Sequence, residues 1–233
     1  MSKEAVIISG GVLDEEFILD VLDSKEGAYI IGVDSGVRFL YKHQIMPHYI
    51  VGDFDSLDES IITYYRKETK VSIREFNPEK DAADTEIAVK LAVAIGSRKM
   101  TILGATGARI DHLWANIQTL FIAQAAGVEA EILDPLNRIR IIEGTTLLKK
   151  EAAYGPFFSV FTLNGPVPHF NISGAKYPLT DHLLEPVGSL CVSNEYKDDV
   201  TITFPQGKVI LMETRDRGIL SKDVENSRET GYN

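Results

Sequence analysis

The stretch GDFDSL, residues 52–57, sets two carboxylates, Asp53 and Asp55, two positions apart after the largely apolar run MPHYIV. That run reads as a buried strand, and on an extended strand Asp53 and Asp55 face one side, with Cβ atoms roughly 6–7 Å apart. Two negative charges at ~6 Å repel by on the order of 3 kcal/mol at an effective dielectric of 20, a sizeable part of a domain's net stability. More acids stand at comparable places. Asp34 in GVDSG ends another strand-like run, and Asp81 and Asp84 in KDAADTE open a helical one. A site that gathers them must protonate one or bind a cation. A partly hydrated Mg2+ takes one or two carboxylates together with phosphate oxygens. Capping is the competing reading for Asp34 and Asp84, since Asp is favoured in turns and at helix starts. It accounts for one aspartate of the 53/55 pair and not for both.

A second cluster is GATGARIDHLWAN, residues 104–116. Gly104 and Gly107 permit a tight strand-to-helix turn, and the free N–H groups of the helix beyond it can hold an anion. Arg109 offers a planar donor suited to phosphate. Asp111 and His112 follow in the first helical turns; His112 by itself reads as a hydrogen-bonded structural histidine, and Trp114 as core. The stretch is neither GxGxxG nor a Walker A motif. A third cluster, AKYPL (175–179) and SLCVSNE (189–195), offers Ser193 and Asn194 as polar handles at a strand end; by themselves these read as a turn.

The elements that must carry these residues follow from hydrophobic pattern. Up to about residue 135, strand-like runs (AVIISG, AYIIGVDSG, HYIVGDFDS, VSIREF, KMTILGATG, EAEILD) alternate with helical ones. That alternation predicts βαβ units, hence a parallel-sheet, Rossmann-like α/β domain with helices on both faces. Ligands of such sheets collect at the carboxyl ends of the strands, where these runs end in small or acidic residues. Residues 136–217 carry short alternating runs punctuated by Gly, Pro and Asn, which predicts an antiparallel β-sandwich domain. Residues 218–233 are polar and read as a frayed tail.

Composition narrows the function classes. The 233 residues can bury a real core, and the net charge of −10 argues against general nucleic-acid binding. One cysteine, Cys191, excludes an internal disulfide and any multi-cysteine zinc site; in its apolar setting it reads as a small buried hydrophobe. No run approaches the ~20 apolar residues of a membrane helix, and the N-terminus lacks signal-peptide shape. A soluble, cytoplasmic protein that engages no membrane is expected.

In order, GVDSG, GDFDSL, the K-D-x-x-D of KDAADTE, GATGARIDH, KYPL and VSNE resemble the motifs of the bacterial thiamine pyrophosphokinases, across residues 32–195. The chain departs from the family's usual pattern at Ala83, where Thr is common, and at Ala108, where a second Gly is common; neither change removes an ionisable group. The resemblance implies an N-terminal nucleotide- and Mg2+-binding catalytic domain (1–135), a thiamine-binding β-sandwich (136–217), and a homodimer with active sites at the subunit interface. It implies transfer of the pyrophosphoryl group of ATP to the thiamine hydroxyl, giving thiamine diphosphate and AMP. By the resemblance, Asp53, Asp55 and Asp84 are catalytic and hold Mg2+. Asp34, Lys80, Asp81, Gly107 and Arg109 contact the nucleotide, and Asp111, His112, Ser193 and Asn194 line the thiamine pocket. The rival readings are a similar pyrophosphokinase for another hydroxymethyl compound such as a pterin, a non-catalytic thiamine- or nucleotide-binding protein, and a metal-dependent phosphohydrolase.

Overall fold

Val6, Ile7 and Ile8 are each fully buried, which a strand achieves only at the centre of a sheet covered on both faces. They belong to β1 (Glu4–Ile8) in a computed structural model that describes residues 4–55, 57–75, 82–107, 109–163 and 165–218. The chain divides into two compact units, Met1–Pro135 and Leu136–Asn233.

In the first unit β1 is followed by α1 (Glu15–Ser24), β2 (Tyr29–Val33), α2 (Ser35–Lys42), β3 (Tyr49–Gly52), α3 (Glu59–Glu68), β4 (Ser72–Glu75), α4 (Asp84–Ala94), β5 (Lys99–Leu103), α5 (Ile110–Ala125) and β6 (Glu129–Leu133). The strands pair in parallel in the order β6-β5-β1-β2-β3-β4. From β1 the chain steps outward to β4, then returns to the other side of β1 through α4. Right-handed crossovers therefore place α1–α3 on one face and α4 and α5 on the other. β1 is the point where the direction of winding reverses, and the crevice above such a point is where these sheets hold ligands. The α1/α2 face buries Ile18, Val21, Phe39 and Leu40 against Val6, Ile8 and Leu103, and the α3 face buries Ile61, Ile62 and Tyr65 against Ile50. Each such aliphatic side chain contributes about 1.5–3 kcal/mol of burial. The edge strand β4 is mostly exposed.

Helix starts differ in quality. Asp14 caps α1, its Oδ1 accepting from Phe17 N at 3.1 Å. α4 begins on Ala83, which has the extended cap backbone (φ −66°, ψ 153°) but no side chain to satisfy the first N–H groups. Glu86, three residues on, would complete a capping box with a hydroxyl at 83. Ala83→Thr is therefore expected to stabilise the protein by about 1 kcal/mol, raising the unfolding midpoint by roughly 2–4 °C. An unchanged midpoint in thermal denaturation counts against this account of α4.

The second unit is antiparallel: β7 (Asn137–Ile142), β8 (Thr146–Leu148), a 3-10 turn (Lys150–Ala152), β9 (Phe157–Thr162), β10 (Val167–Ala175), β11 (Leu179–Leu184), β12 (Asn194–Thr203) and β13 (Val209–Thr214). β7, β13 and β9 form one sheet, and β11, β10, β12 and β8 the other. β12 joins them, because Asn194 and Glu195 pair with β9 before the strand continues along β10 and β8. Every second residue of the inner faces enters one core: Phe158 and Val160, Phe170 and Ile172, Val200 and Ile202, Val209 and Leu211. Such interdigitation between two sheets makes a β-sandwich, and the mixed α/β-then-antiparallel fold is the one the sequence pattern predicts. Cys191 is part of that core, and desolvation pushes its thiol up to about 11. It packs as a small hydrophobe and is not a nucleophile at neutral pH. Among the described residues no helix is long and apolar enough to cross a membrane.

Candidate active site

Asp34 sits on a sharp elbow. Between the last residue of β2 and the first of α2 its backbone takes φ 48°, ψ −121°, a sparsely populated conformation costing of order 1–3 kcal/mol. The surrounding G-x-D-x-G makes this turn possible: a Cβ on Gly36 would lie 2.0 Å from the Ile8 carbonyl oxygen, and one on Gly32 2.9 Å from Leu40 Cδ1. Small residues two either side of a raised side chain are the same solution that lifts the nucleophile of α/β-hydrolases above its sheet. The Asp34 side chain makes no cap to α2, so helix capping does not account for this aspartate.

The GDFDSL stretch differs from its expected form. β3 stops at Gly52, and the two aspartates lie in a turn, not on one face of an extended strand. The cause is Phe54, which takes a left-handed backbone (φ 61°) so that its ring can bury among Val37, Ile50, Leu57 and Ile61. The turn is closed by Asp55 N donating to Asp53 Oδ1 at 3.2 Å and Leu57 N donating to the Phe54 carbonyl at 3.2 Å. Asp53 is left half-buried and Asp55 exposed. A Cβ at position 52 would lie 2.7 Å from Asp34 Oδ1 and 3.1 Å from the Phe54 ring, so glycine is required where Asp34 approaches this turn.

α4 is tied to the same end of the sheet. Thr85, next to Asp84, shares a 2.5 Å hydrogen bond with Ser9 at the end of β1. Asp84 is the first residue of α4 and not its cap, and the positive end of the helix favours a carboxylate there. Asp34 thus approaches the Asp53–Asp55 turn, and the Thr85–Ser9 bond anchors the start of α4 at the same end of the sheet. Among the described residues no three acidic, histidine or cysteine side chains are close enough together to hold a metal ion. The described residues therefore do not bring Asp53, Asp55 and Asp84 together as a three-carboxylate site; an ion here would take one or two of them and complete its shell with water and phosphate oxygens, as Mg2+ does. Lys80 and Asp81 lie outside the described residues.

Beside this rim is a cavity of about 460 Å³ at the winding reversal, lined among others by Gly10, Gly11, Asp34, Gly107, Arg109, His112 and Asn116. Its floor is two glycine turns laid against each other: Gly11 N donates to the Gly104 carbonyl at 2.8 Å, and Val12 N to the Thr106 carbonyl at 3.3 Å. A Cβ on Gly11 would lie 2.4 Å from that Gly104 oxygen. Asp34, Gly107, Arg109 and His112 of the predicted residues therefore share one cavity. Arg109 grips Asp111 through Nη2–Oδ2 (2.6 Å) and Nε–Oδ1 (3.2 Å), while His112 N donates to Asp111 Oδ1 at 2.9 Å. The Arg109 bond is the main reason the Asp111 carboxyl is held below its usual range. Because the folded pKa is depressed, Asp111 stays charged to lower pH than a free carboxylate. Arg109→Gln is expected to raise its pKa, read by 13C carboxyl titration; an unmoved titration would place its cause elsewhere.

Trp114 is not core: it is 51% exposed, and Ile110 one turn earlier is 79% exposed. α5 turns 109, 112, 113 and 116 toward the cavity, which carries 110 and 114 to the outside.

In the second unit, Ser193 has a left-handed backbone (φ 55°) fixed by its N–H donating to Ser159 Oγ at 3.0 Å, and its side chain is exposed. Asn194 is only 3% exposed, and its amide is engaged on both sides. Nδ2 donates to the Tyr177 carbonyl at 2.8 Å, and Oδ1 accepts from Tyr177 N and Glu195 N, each at 3.0 Å. It holds the KYPL and SNE segments together, with Ser193 presented at their junction. Ser9, Thr85, Phe54 and Asn116 carry no comparable signal in the sequence, since their roles depend on partners 11 to 76 positions away or on a backbone angle.

The model of "Thiamin pyrophosphokinase, catalytic domain" matches residues 23–132, and that of "Thiamin pyrophosphokinase, vitamin B1 binding domain" matches 145–209. A thiamine pyrophosphokinase of Bacillus subtilis is 27% identical over 216 residues, covering 92% of this chain and all of the relative. A crystal structure of thiamine pyrophosphokinase from Bacillus subtilis superposes with a TM-score of 0.80 at 25% identity, over 92% of this chain and all of that one. The crystal structure of thiamin pyrophosphokinase from Geobacillus thermodenitrificans superposes with a TM-score of 0.78 at 30% identity, over 92% of this chain and 98% of that one. With both of its units matched and nearly the whole length of these relatives covered, the chain belongs to the thiamin pyrophosphokinase family.

Proposed function

We propose that this protein transfers the pyrophosphoryl group of ATP to the hydroxyl of thiamine, forming thiamine diphosphate and AMP. The observation that supports the reading is Asp34, raised beside the Asp53–Asp55 turn and lining a glycine-floored cavity at the end of the sheet to which the start of α4 is tied. The match of residues 145–209 to a vitamin B1 binding domain supports thiamine over a pterin as acceptor.

Such a transfer depends on positioning and charge neutralisation more than on covalent chemistry. In this reading the thiamine oxygen attacks the β-phosphorus, the bond from that phosphorus to the α,β-bridging oxygen breaks, and AMP leaves with the electron pair. A rim aspartate receives the hydroxyl proton. Mg2+, when held by one or two of Asp53, Asp55 and Asp84, would neutralise the charge of the phosphates. Asp34, Gly107 and Arg109, with Lys80 and Asp81, hold the nucleotide; Arg109 exchanges Asp111 for phosphate oxygens. Asp111, His112 and Ser193 face thiamine, and Asn194 shapes the turn that presents Ser193. Acidic walls suit a cationic acceptor, and a divalent ion lets an acidic protein accept an anionic donor.

The working unit in this reading is a homodimer with active sites at the subunit interface. Exposed Ile110 and Trp114 on α5, and exposed Val187 and Leu190 in the second unit, are surfaces that it would cover. Sedimentation at the mass of a single chain would sink this part. The reaction itself is tested by AMP release from ATP and Mg2+. Release that requires thiamine, with thiamine diphosphate in equal amount, is expected. Release without thiamine points to a hydrolase, and none under any condition to a binding protein.

A further inference from the structure

Asn116 lies in the second turn of α5, is 8% exposed, and lines the cavity. Its Nδ2 donates to the carbonyl of Ala105 at 2.8 Å, and its backbone carbonyl accepts from Thr119 Oγ1 at 2.7 Å. The Ala105 contact fixes the sense of the amide, because a flipped side chain would set two oxygens against each other. What remains for the cavity is Oδ1, which has no partner among the described residues. The side chain is held in the wall by its other contacts, so this oxygen is a fixed acceptor open to whatever occupies the cavity.

We infer that Asn116 Oδ1 is a specificity element that accepts a hydrogen bond from the exocyclic amine of a bound aminopyrimidine-type ring. The inference rests on the proposed reading of ATP and thiamine as ligands. A fully ionised phosphate has no hydrogen to donate and would be repelled by this oxygen, so the triphosphate belongs on the glycine turns and the carboxylate rim. Thiamine's hydroxyl must also lie at that rim to reach the phosphates. The donors left are the ribose hydroxyls of ATP and the ring amines, and the amine is the one that both substrates carry: the 6-amino group of adenine and the 4-amino group of thiamine's pyrimidine. A fixed sp² acceptor discriminates strongly here, because replacing the amine by a carbonyl turns a donor–acceptor contact into two opposed acceptors.

The test is equilibrium binding, which needs no turnover, to wild type and to Asn116→Leu and Asn116→Asp. The ligands are ATP against inosine triphosphate, and thiamine against its 4-oxo analogue. Wild type is expected to prefer the amine form at least tenfold in one pair, and that pair identifies the source of the amine. In Asn116→Leu that preference falls to within about threefold, while the other pair's ratio stays put. Asn116→Asp keeps an oxygen at Oδ1 and retains the preference, although it loses the Ala105 bond and some stability. A purely structural Asn116 would weaken all four ligands together and leave both ratios unchanged, which overturns the inference. Equal wild-type binding within both pairs, as a contact to a ribose hydroxyl would give, or no binding of any of the four, overturns it too. A wild type that shows the preference yet releases no AMP counts against the proposed reaction and not against this contact.

Discussion

Asp55→Asn is expected to lower thiamine-dependent AMP release by about a thousandfold while moving the thermal midpoint by less than about 2 °C. The two halves of this expectation come from different features of the turn. Asp55 is exposed and its carboxylate packs against nothing that the fold requires; its contribution to the turn is its backbone N–H, which Asn keeps. The stability of the turn resides in Phe54, buried in the α3 core. Asn is nearly isosteric with Asp but neutral, so only the charge offered to a divalent ion is removed. An oxygen donor without its charge holds Mg2+ far more weakly, and the phosphate repulsion it would offset returns in the transition state. Activity within tenfold of wild type would show that the assigned metal role is wrong. A large fall in midpoint would show instead that the carboxylate is structural.

Much of this architecture was legible before any coordinates because it depends on local pattern. Strands such as VIISG and TILG end in small residues, helices follow at short intervals, and the texture changes after Pro135; these features follow from periodicity and turn chemistry. The elbow at Asp34 was half legible: GVDSG shows the glycines, but not the left-handed backbone they permit. The DFD pair was misread as continuous strand because alternation is the default for such a run. Nothing local announces that Phe54 gains more by leaving the strand for a core assembled from α2 and α3. Trp114 failed for a related reason. An apolar residue inside an apolar helix reads as buried, and which helix face is covered is decided by the sheet and not by the helix. Asn194 and Asn116 look alike as polar residues near a site, yet one has its whole amide engaged with backbone and the other keeps an oxygen for the cavity. That difference is a property of partners far along the chain, which no single stretch of sequence contains.

Glu213→Ala is expected to be the most destabilising single change outside the hydrophobic cores, costing about 3–5 kcal/mol. Glu213 is 2% exposed on β13, between β7 and β9. Its carboxylate takes Arg140 Nη2 at 2.6 Å, has Arg138 at 3.8 Å, and accepts from Tyr196 O–H at 3.0 Å and Tyr154 N at 3.5 Å. A carboxylate so buried is tolerated because its charge and lone pairs are answered. Deleting it leaves Arg138 and Arg140, side by side on β7, without their counter-charge, with Arg140 Nε already buried and unpartnered among the described residues. For a chain of this size the loss corresponds to a midpoint lowered by roughly 6–20 °C, measurable by calorimetry. Tyr196 supplies a second readout. Its phenol is raised above 10, first by burial and then by the Glu213 charge. Being raised in the folded state, it supports stability below its unfolded pKa of about 10, and that support is lost as pH rises toward the folded value. Removing Glu213 should bring the Tyr196 titration down, visible in tyrosinate absorbance. Unless the midpoint falls by more than about 4 °C and the phenol titrates earlier, Glu213 is a bystander and the sandwich is held by its apolar faces alone.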